Sequence, residues 1–414
     1  MQTKKLSAAS TAVLAIFAVT LLITGSRAAA QEVVLRNFSN SGAGGYDPYA
    51  GVISDAAGNL YGTTRQGGTY GYGTVFELSP KVGGGWIETV LHTFNNNGRD
   101  GVNPCSALVF DAVGNLYGTT NLGGTYFDGT VFELSPTTGG GWTEKILHSF
   151  KGDDIDGAFP EAGLVLDAAG RLYGATTGGG TPNGGTVFEL TLTPAHKWTE
   201  KILHEFGNGN GDGTYPYASL AFDAAGNLYG TTVAGGASSD GTVFELTPGA
   251  AGVWTETLIH TFNRDGTDGV VPYYRVIFDA SGNLYGTTSG GGADKAGTVF
   301  ELTPTGSGTW TETILYTFNE KDGNEPSSNL IFDASGNLYG TTEKGGSTNS
   351  GTVFELTPAA GGGWTETVLH SFGYAKDGQY PQGGLIFDTA HSLYGTTLDG
   401  GANASSGTVF EITP

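Results

Sequence analysis

The chain of 414 residues holds 72 glycines, one cysteine, and 40 acidic against 18 basic side chains, for a formal net charge of −22. Its 38% hydrophobic and 11% aromatic content supplies enough apolar material for a sizeable core, so a disordered chain is excluded, as is a collagen, for want of a third-residue glycine period. A single cysteine excludes a disulfide framework, no Cys/His cluster has zinc-site spacing, and the acidic balance excludes the basic stripe that a nucleic-acid partner requires.

Lys4 and Lys5 open the chain, an apolar run follows from Ala12 to Ile23, and Ala28-Ala29-Ala30 stands immediately before Gln31. A basic start, a run of this length and a small-x-small site predict a secretory signal peptide over residues 1–30, cut after Ala30. The run is shorter than the roughly 20 apolar residues of a membrane span. Removal of residues 1–30 takes away three cations and no acid, so the mature chain is more acidic still. The expected product is one domain, residues 31–414, secreted to the periplasm or the medium, with no membrane span and monomeric.

Seven copies of one unit follow. LYGTT, or LYGAT, begins at Leu60, Leu116, Leu172, Leu228, Leu284, Leu338 and Leu393, and GTVFEL (GTVFEI at the end) begins at Gly73, Gly129, Gly185, Gly241, Gly297, Gly351 and Gly407. A Trp-x-Glu segment follows six of these and accounts for all 6 tryptophans. Each unit reads as four short strands, illustrated by Leu108–Asp111, Asn115–Thr120, Thr130–Leu134 and Trp142–Phe150. All are rich in Val, Ile, Thr and aromatics and separated by Gly, Pro, Asn and Asp. Apolar groups occur on both faces, as in strands sandwiched between neighbouring sheets. Four strands repeated in this way predict an all-β fold, a seven-bladed β-propeller.

The ends of the chain support a closed ring. Glu32–Phe38 matches the fourth strand and stands alone before the first complete unit, whereas the last unit stops after its third strand. The N-terminal strand is therefore expected to complete the last blade and leave no unpaired seam.

The motif D-x-x-G-N-L-Y-G-T-T-x-x-G-G followed by G-T-V-F-E-L-T-P, as in Asp223–Gly236 with Gly241–Pro248, resembles the GloVer tandem repeat of bacterial exported proteins. The resemblance spans all seven units and implies an exported, propeller-like protein of unassigned biochemical function. Members often carry a C-terminal surface-sorting segment. None follows Pro414 here, which favours release over anchoring.

The repeated acids read as structural. Asp55, Asp111, Asp167, Asp223, Asp279, Asp333 and Asp388 precede tight turns, where a carboxylate accepts backbone N–H groups. Glu77 and its six equivalents lie inside the third strand, where hydrogen bonding within the blade offsets burial. His92, His148, His204, His260 and His370 share one fourth-strand position, replaced by Arg36 and Tyr316 in the other blades. Equivalent histidines on outer strands lie too far apart to share a metal, so they read as ordinary polar residues.

The interblade connections carry Asp-Gly-x-x-Pro, as in Asp100–Pro104, with Gly44–Pro48 departing in the first unit. They are expected to share a face with the loops holding Asp128, Asp240, Asp294 and Asp399. Asp154, Asp156 and Asp212 faintly resemble the opening of a calcium loop, but the closing bidentate Glu is absent, and turn formation is the simpler account. No cofactor is expected, calcium being the one weakly supported candidate. Symmetry breaks immediately after the loop proline, at Tyr49, Cys105, Glu161, Tyr217, Tyr273, Ser327 and Gln382. Tyr49, Glu161, Tyr217, Tyr273, Arg275 and Gln382 are the candidate ligand-binding residues, forming a polar and aromatic rim. No catalytic residue is assigned: no G-x-S-x-G, H-E-x-x-H or Walker loop occurs. The leading expectation is a non-enzymatic exported module binding a saccharide, peptide or protein on the loop face. An extracellular polysaccharide lyase or hydrolase using Glu161, Tyr217, Tyr273 and Arg275 is the alternative, and a structural envelope protein a third.

Overall fold

A computed structural model describes residues 30–41, 43–209, 211–306, 308–373, 376–403 and 406–414. Apart from Ala30 the signal-peptide reading lies outside the described residues. Seven antiparallel sheets follow one another, six of four strands and the sixth in chain order of five, because Asn324–Pro326 also pairs with Leu338–Lys344 there. In blade 2 the strands are Val109–Phe110, Leu116–Thr120, Thr130–Pro136 and Trp142–Ser149, hydrogen-bonded in that order. The first strands of all blades line a central channel, through residues such as Ile53, Val109, Val165, Ile331 and Ile386. They are shorter than the four-residue runs suggest, because the turn aspartate takes over the backbone donors beyond Phe110: the Asp111 carboxylate accepts the N–H of Val113 and of Asn115.

The ring closes as expected. Gln31–Asn37 pairs with Thr408–Thr413, from Gln31 opposite Thr413 to Asn37 opposite Thr408, and becomes the fourth strand of blade 7. Blades meet through a ladder of phenylalanines. The Phe that ends each fourth strand packs edge-on against the Phe of GTVFEL in the next blade, with centroids 5.2 Å apart for Phe94 and Phe132 and 5.0 Å for Phe206 and Phe244. The pair Phe38–Phe76, also at 5.2 Å, joins the N-terminal strand to blade 1.

Glycine and threonine in LYGTT each have a packing reason. A Cβ on Gly118 would lie 2.6 Å from the Phe132 ring, so only hydrogen fits. The second threonine is buried and shares a 2.8 Å hydrogen bond with the threonine of GTVFEL, as in Thr120–Thr130. The first reaches across the interface: Thr119 Oγ1 donates to the Ala162 carbonyl of the next blade at 3.0 Å, and Thr396 donates to the Ala50 carbonyl across the closure. Blade 3 has Ala175 at that position and lacks the hydroxyl.

Among the described residues no helix is long and apolar enough to cross a membrane.

Candidate functional site

Each interblade loop lies beside the loop between the second and third strands of its own blade. Gly101-Val102 pairs with Leu122-Gly123, and the same ribbon recurs around the ring. The two loop sets therefore share one face, as expected. Pinning is tight. The residue before each loop proline has a positive φ near 57°, in Asp47, Asn103, Phe159, Tyr215, Val271, Glu325 and Tyr380 alike. Side chains this varied do not select that conformation, and for a β-branched valine it is strained. Tertiary bonds impose it: Val271 N–H donates to the Asp240 carbonyl of the preceding blade at 2.9 Å, and the Val271 carbonyl accepts the Ser289 N–H at 3.0 Å.

These pins fix the residue after the proline. Tyr49, Glu161, Tyr217, Tyr273 and Gln382 converge on one cavity of about 380 Å³ at the channel mouth, joined by Tyr274, Glu325 and Glu343. Tyr217 and Tyr273 stand edge to face at 5.1 Å. The Arg65 guanidinium lies 5.7 Å from the Tyr49 ring. Asn121 Nδ2 donates to Glu161 at 2.8 Å. Burial raises the Glu161 carboxyl above its ordinary range, with Arg65 opposing. Burial also raises Glu343, with Lys344 opposing. Two carboxyls displaced in the same direction do not make an acid and base pair, which needs environments that drive the two apart. Cys105, 7% exposed, lies against the same mouth, and burial pushes its thiol up to about 12, so the reactive thiolate is suppressed.

Arg275 stands one level deeper, with the apolar channel residues and Asn329, whose side-chain oxygen accepts the Arg275 backbone N–H. Its ring-mates are Gly51, Ala107, Gly163, Ser219, Asn329 and Gly384, all smaller. Burial lowers its pKa, and its Nε has no hydrogen-bond partner. Around the mouth the loop face carries exposed aromatics, among them Tyr70, Tyr126, Phe127, Phe159 and Tyr215.

The turn aspartates and third-strand glutamates have the in-blade partners expected. Asp111 accepts four hydrogen bonds, from the Val113 and Asn115 N–H groups, Asn115 Nδ2 and the Tyr117 hydroxyl. Glu245 accepts the Tyr229 hydroxyl at 2.8 Å.

The fourth-strand histidines have partners that sequence reasoning missed. His92 Nε2 lies 3.4 Å from Asp100 of the following loop and 3.6 Å from Glu144, in the fourth strand of the next blade. The same His–Asp–Glu set recurs as His148–Asp156–Glu200, His204–Asp212–Glu256, His260–Asp268–Glu312 and His370–Asp377–Glu32. Its carboxyls are electrostatically uncomfortable. Burial, opposed by His204 and reinforced by Asp212, pushes Glu256 up to about 7, and Glu144 and Glu200 are also raised, chiefly by burial. Asp156 and Asp212, two of the three calcium candidates, thus belong to separate grooves, where they also accept backbone N–H groups from Gly157 and Asn208. Asp154 is exposed and in neither set. The available signal was a histidine seven or eight residues before a loop aspartate.

Two solved structures share the fold. The extracellular domain of a candidate hybrid two component system from B. thetaiotaomicron superposes with a TM-score of 0.54 at 12% identity, over 91% of this chain and 40% of that one. The present chain thus spans about two fifths of that domain's length. A candidate 6-phosphogluconolactonase from Bacteroides uniformis gives a TM-score of 0.53 at 14% identity, over 81% of this chain and 88% of that one. At these identities the likeness extends to the propeller alone. Among curated proteins, none is similar enough to be matched. The Gloeobacter/Verrucomicrobia repeat model matches residues 16–232 and 221–414, and the chain belongs to that repeat family.

Proposed function

We propose that the protein is an exported, non-enzymatic binding module that takes a saccharide at the channel mouth on its loop face. The observation that carries this reading is the cavity of about 380 Å³ where Tyr49, Glu161, Tyr217, Tyr273 and Gln382 converge, from a position at which the seven units differ in kind. Phenol rings offer flat apolar faces with a polar edge, and carboxylate and amide groups accept and donate to hydroxyls. Together they suit a neutral sugar ring in a site of this volume. Arg275 supplies a donor below the mouth through an Nε that nothing else in the fold engages. The exposed aromatics of the loop face extend the surface for a longer chain. Catalysis has weaker support, since Glu161 and Glu343, two of the three mouth carboxyls, are raised by the same cause.

A glycan array probed with residues 31–414 and with Tyr217→Ala/Tyr273→Ala tests the reading. Binding of neutral glycans that falls roughly tenfold or more in the double variant is the expected result, as for central aromatic anchors. Glycans shortened during incubation favour the lyase or hydrolase. No glycan bound by the native chain, or binding unchanged in the double variant, removes the saccharide reading.

A further inference from the structure

We propose that five of the seven interblade grooves are sites for a divalent transition-metal cation, zinc in the first instance, held by a histidine, the loop aspartate and the glutamate of the next blade. The inference is independent of what the channel mouth binds.

The groove of His204 shows the geometry most plainly. His204 Nε2 lies 3.6 Å from Asp212 Oδ1 and 3.7 Å from Glu256 Oε2. These separations are too long for hydrogen bonds. His204 Nε2 and Asp212 Oδ1 accordingly have no hydrogen-bond partner, and neither has Glu256 Oε1, the other oxygen of the glutamate. The Asp212 side chain is only 8% exposed, so its orphaned oxygen is cut off from water and aimed at an equally orphaned ring nitrogen. In the next groove His260 Nε2 is likewise unpartnered, 3.6 Å from the orphaned Glu312 Oε1, while Asp268, 5% exposed, turns Oδ2 to the ring at 3.5 Å and leaves Oδ1 without a partner. Buried polar atoms left without a partner are costly. A zinc ion with bonds of about 2.0–2.2 Å to imidazole and carboxylate places tetrahedral donors about 3.4 Å apart. The donor pairs in four grooves are separated by 3.2–3.7 Å. One nitrogen and two carboxylate oxygens suit a borderline cation rather than calcium or magnesium, which prefer oxygen alone.

The two grooves that depart from the set support the same conclusion. Where Arg36 replaces the histidine, Gly44 replaces the aspartate, and the guanidinium stands 2.5 Å from Glu88. A permanent cation appears where one carboxylate is lost, so the chain itself supplies the charge that the groove requires. In the other, Tyr316 donates its hydroxyl to Asp322 at 2.7 Å and fills the gap with a proton donor. Unpartnered ring nitrogens occur in two of the histidine grooves, at His204 and His260, whereas in the grooves of His92, His148 and His370 the same nitrogen lies within hydrogen-bond distance of its aspartate. Because the glutamate belongs to the next blade, an ion there ties neighbouring blades together and anchors the root of the loop that reaches the channel mouth.

The test uses untagged residues 31–414, stripped with EDTA and titrated with Co²⁺ and Zn²⁺ by calorimetry, with visible absorption reporting Co²⁺ coordination. Uptake approaching the five triads, d–d bands from low-symmetry sites and a raised melting temperature are expected. His204→Asn should remove one equivalent. Tyr316→His completes a sixth triad with Asp322 and Glu366 and should add one, which keeps the test decisive should His204→Asn fold poorly. No uptake of either metal, or uptake that neither substitution changes, overturns the proposal.

Discussion

Phe38 tests whether the N-terminal strand holds the ring shut. Its side chain is fully buried, 0% exposed, among Val52, Leu60, Phe76, Leu78 and Val409, and its ring is 5.2 Å from Phe76. Phe206 makes the same contact between blades 3 and 4, also at 0% exposure and 5.0 Å from Phe244. Truncating a buried phenylalanine to alanine costs about 3–5 kcal/mol through lost burial and the cavity left behind. With an unfolding entropy of about 2.1 cal/mol/K per residue over roughly 380 residues, that cost lowers the melting temperature by about 4–6 °C. If closure is as strong as any other interface, Phe38→Ala and Phe206→Ala should fall together within that range, by calorimetry and by urea midpoint. A loss below about 1 kcal/mol for Phe38→Ala beside a full loss for Phe206→Ala would refute closure by this strand. Small losses at both positions would refute the phenylalanine ladder itself. Deleting Gln31–Asn40 removes the whole pairing with Thr408–Thr413 and should lower the melting temperature further than either point change.

Two further outcomes follow from the backbone. Val271 holds a φ of 59° only because neighbouring blades pin it, so Val271→Asn should raise stability by about 1 kcal/mol, and Asn103→Val, at φ 57°, should lose a similar amount. Urea midpoints unmoved by both changes would show that no strain is stored there. The turn aspartates make stability depend on acid. Burial alone would raise Asp55, Asp111 and Asp333, but their hydrogen bonds to Asn59, Asn115 and Asn337 and neighbouring donors outweigh it and hold the carboxyls below their ordinary range. A folded pKa below the unfolded one gives stability that is fully present above about pH 4 and is lost as pH falls through the folded value. Urea midpoints should therefore drop steeply below about pH 4, and Asp111→Asn should flatten that slope. An unchanged slope in the variant would remove Asp111 from the account.

The propeller was legible because a copied unit makes its own alignment: seven LYGTT starts, seven GTVFEL starts and one orphan fourth strand fix blade number and closure before any contact is known. The channel mouth was legible for the converse reason. Tyr49, Glu161, Tyr217, Tyr273 and Gln382 break a pattern that is otherwise strict, and the structure brings these five into one cavity. The first strand was read too long, since Leu108–Asp111 gives no sign that Asp111 turns its carboxylate back onto the following N–H groups. The strained residue before the loop proline gave no signal at all, because its conformation is set by the preceding blade and its identity ranges from Asp47 to Val271. The histidine grooves escaped notice because His92 was compared with His148, its equivalent one blade away. The partners that matter, Asp100 and Glu144, come from different positions of the unit, brought together by the interface between blades.

That last point changes the meaning of the net charge of −22. Counted by repeat position, the acids look like one blade's chemistry multiplied by seven. Traced to their partners, they divide into two populations. Turn aspartates such as Asp111 and strand glutamates such as Glu245 are satisfied inside a single blade by N–H and hydroxyl donors, and their charge is incidental to the fold. Groove carboxylates such as Asp212 and Glu256 face another blade, retain orphaned oxygens and crowd one another. Hydrogen bonds within the chain leave Asp212 and Glu256 incomplete, and the single groove that acquired Arg36 lacks the aspartate. An interface that sets two carboxylates around a histidine in five grooves, and carries its own cation in the groove that has lost one carboxylate, is suited to hold a positive charge between blades.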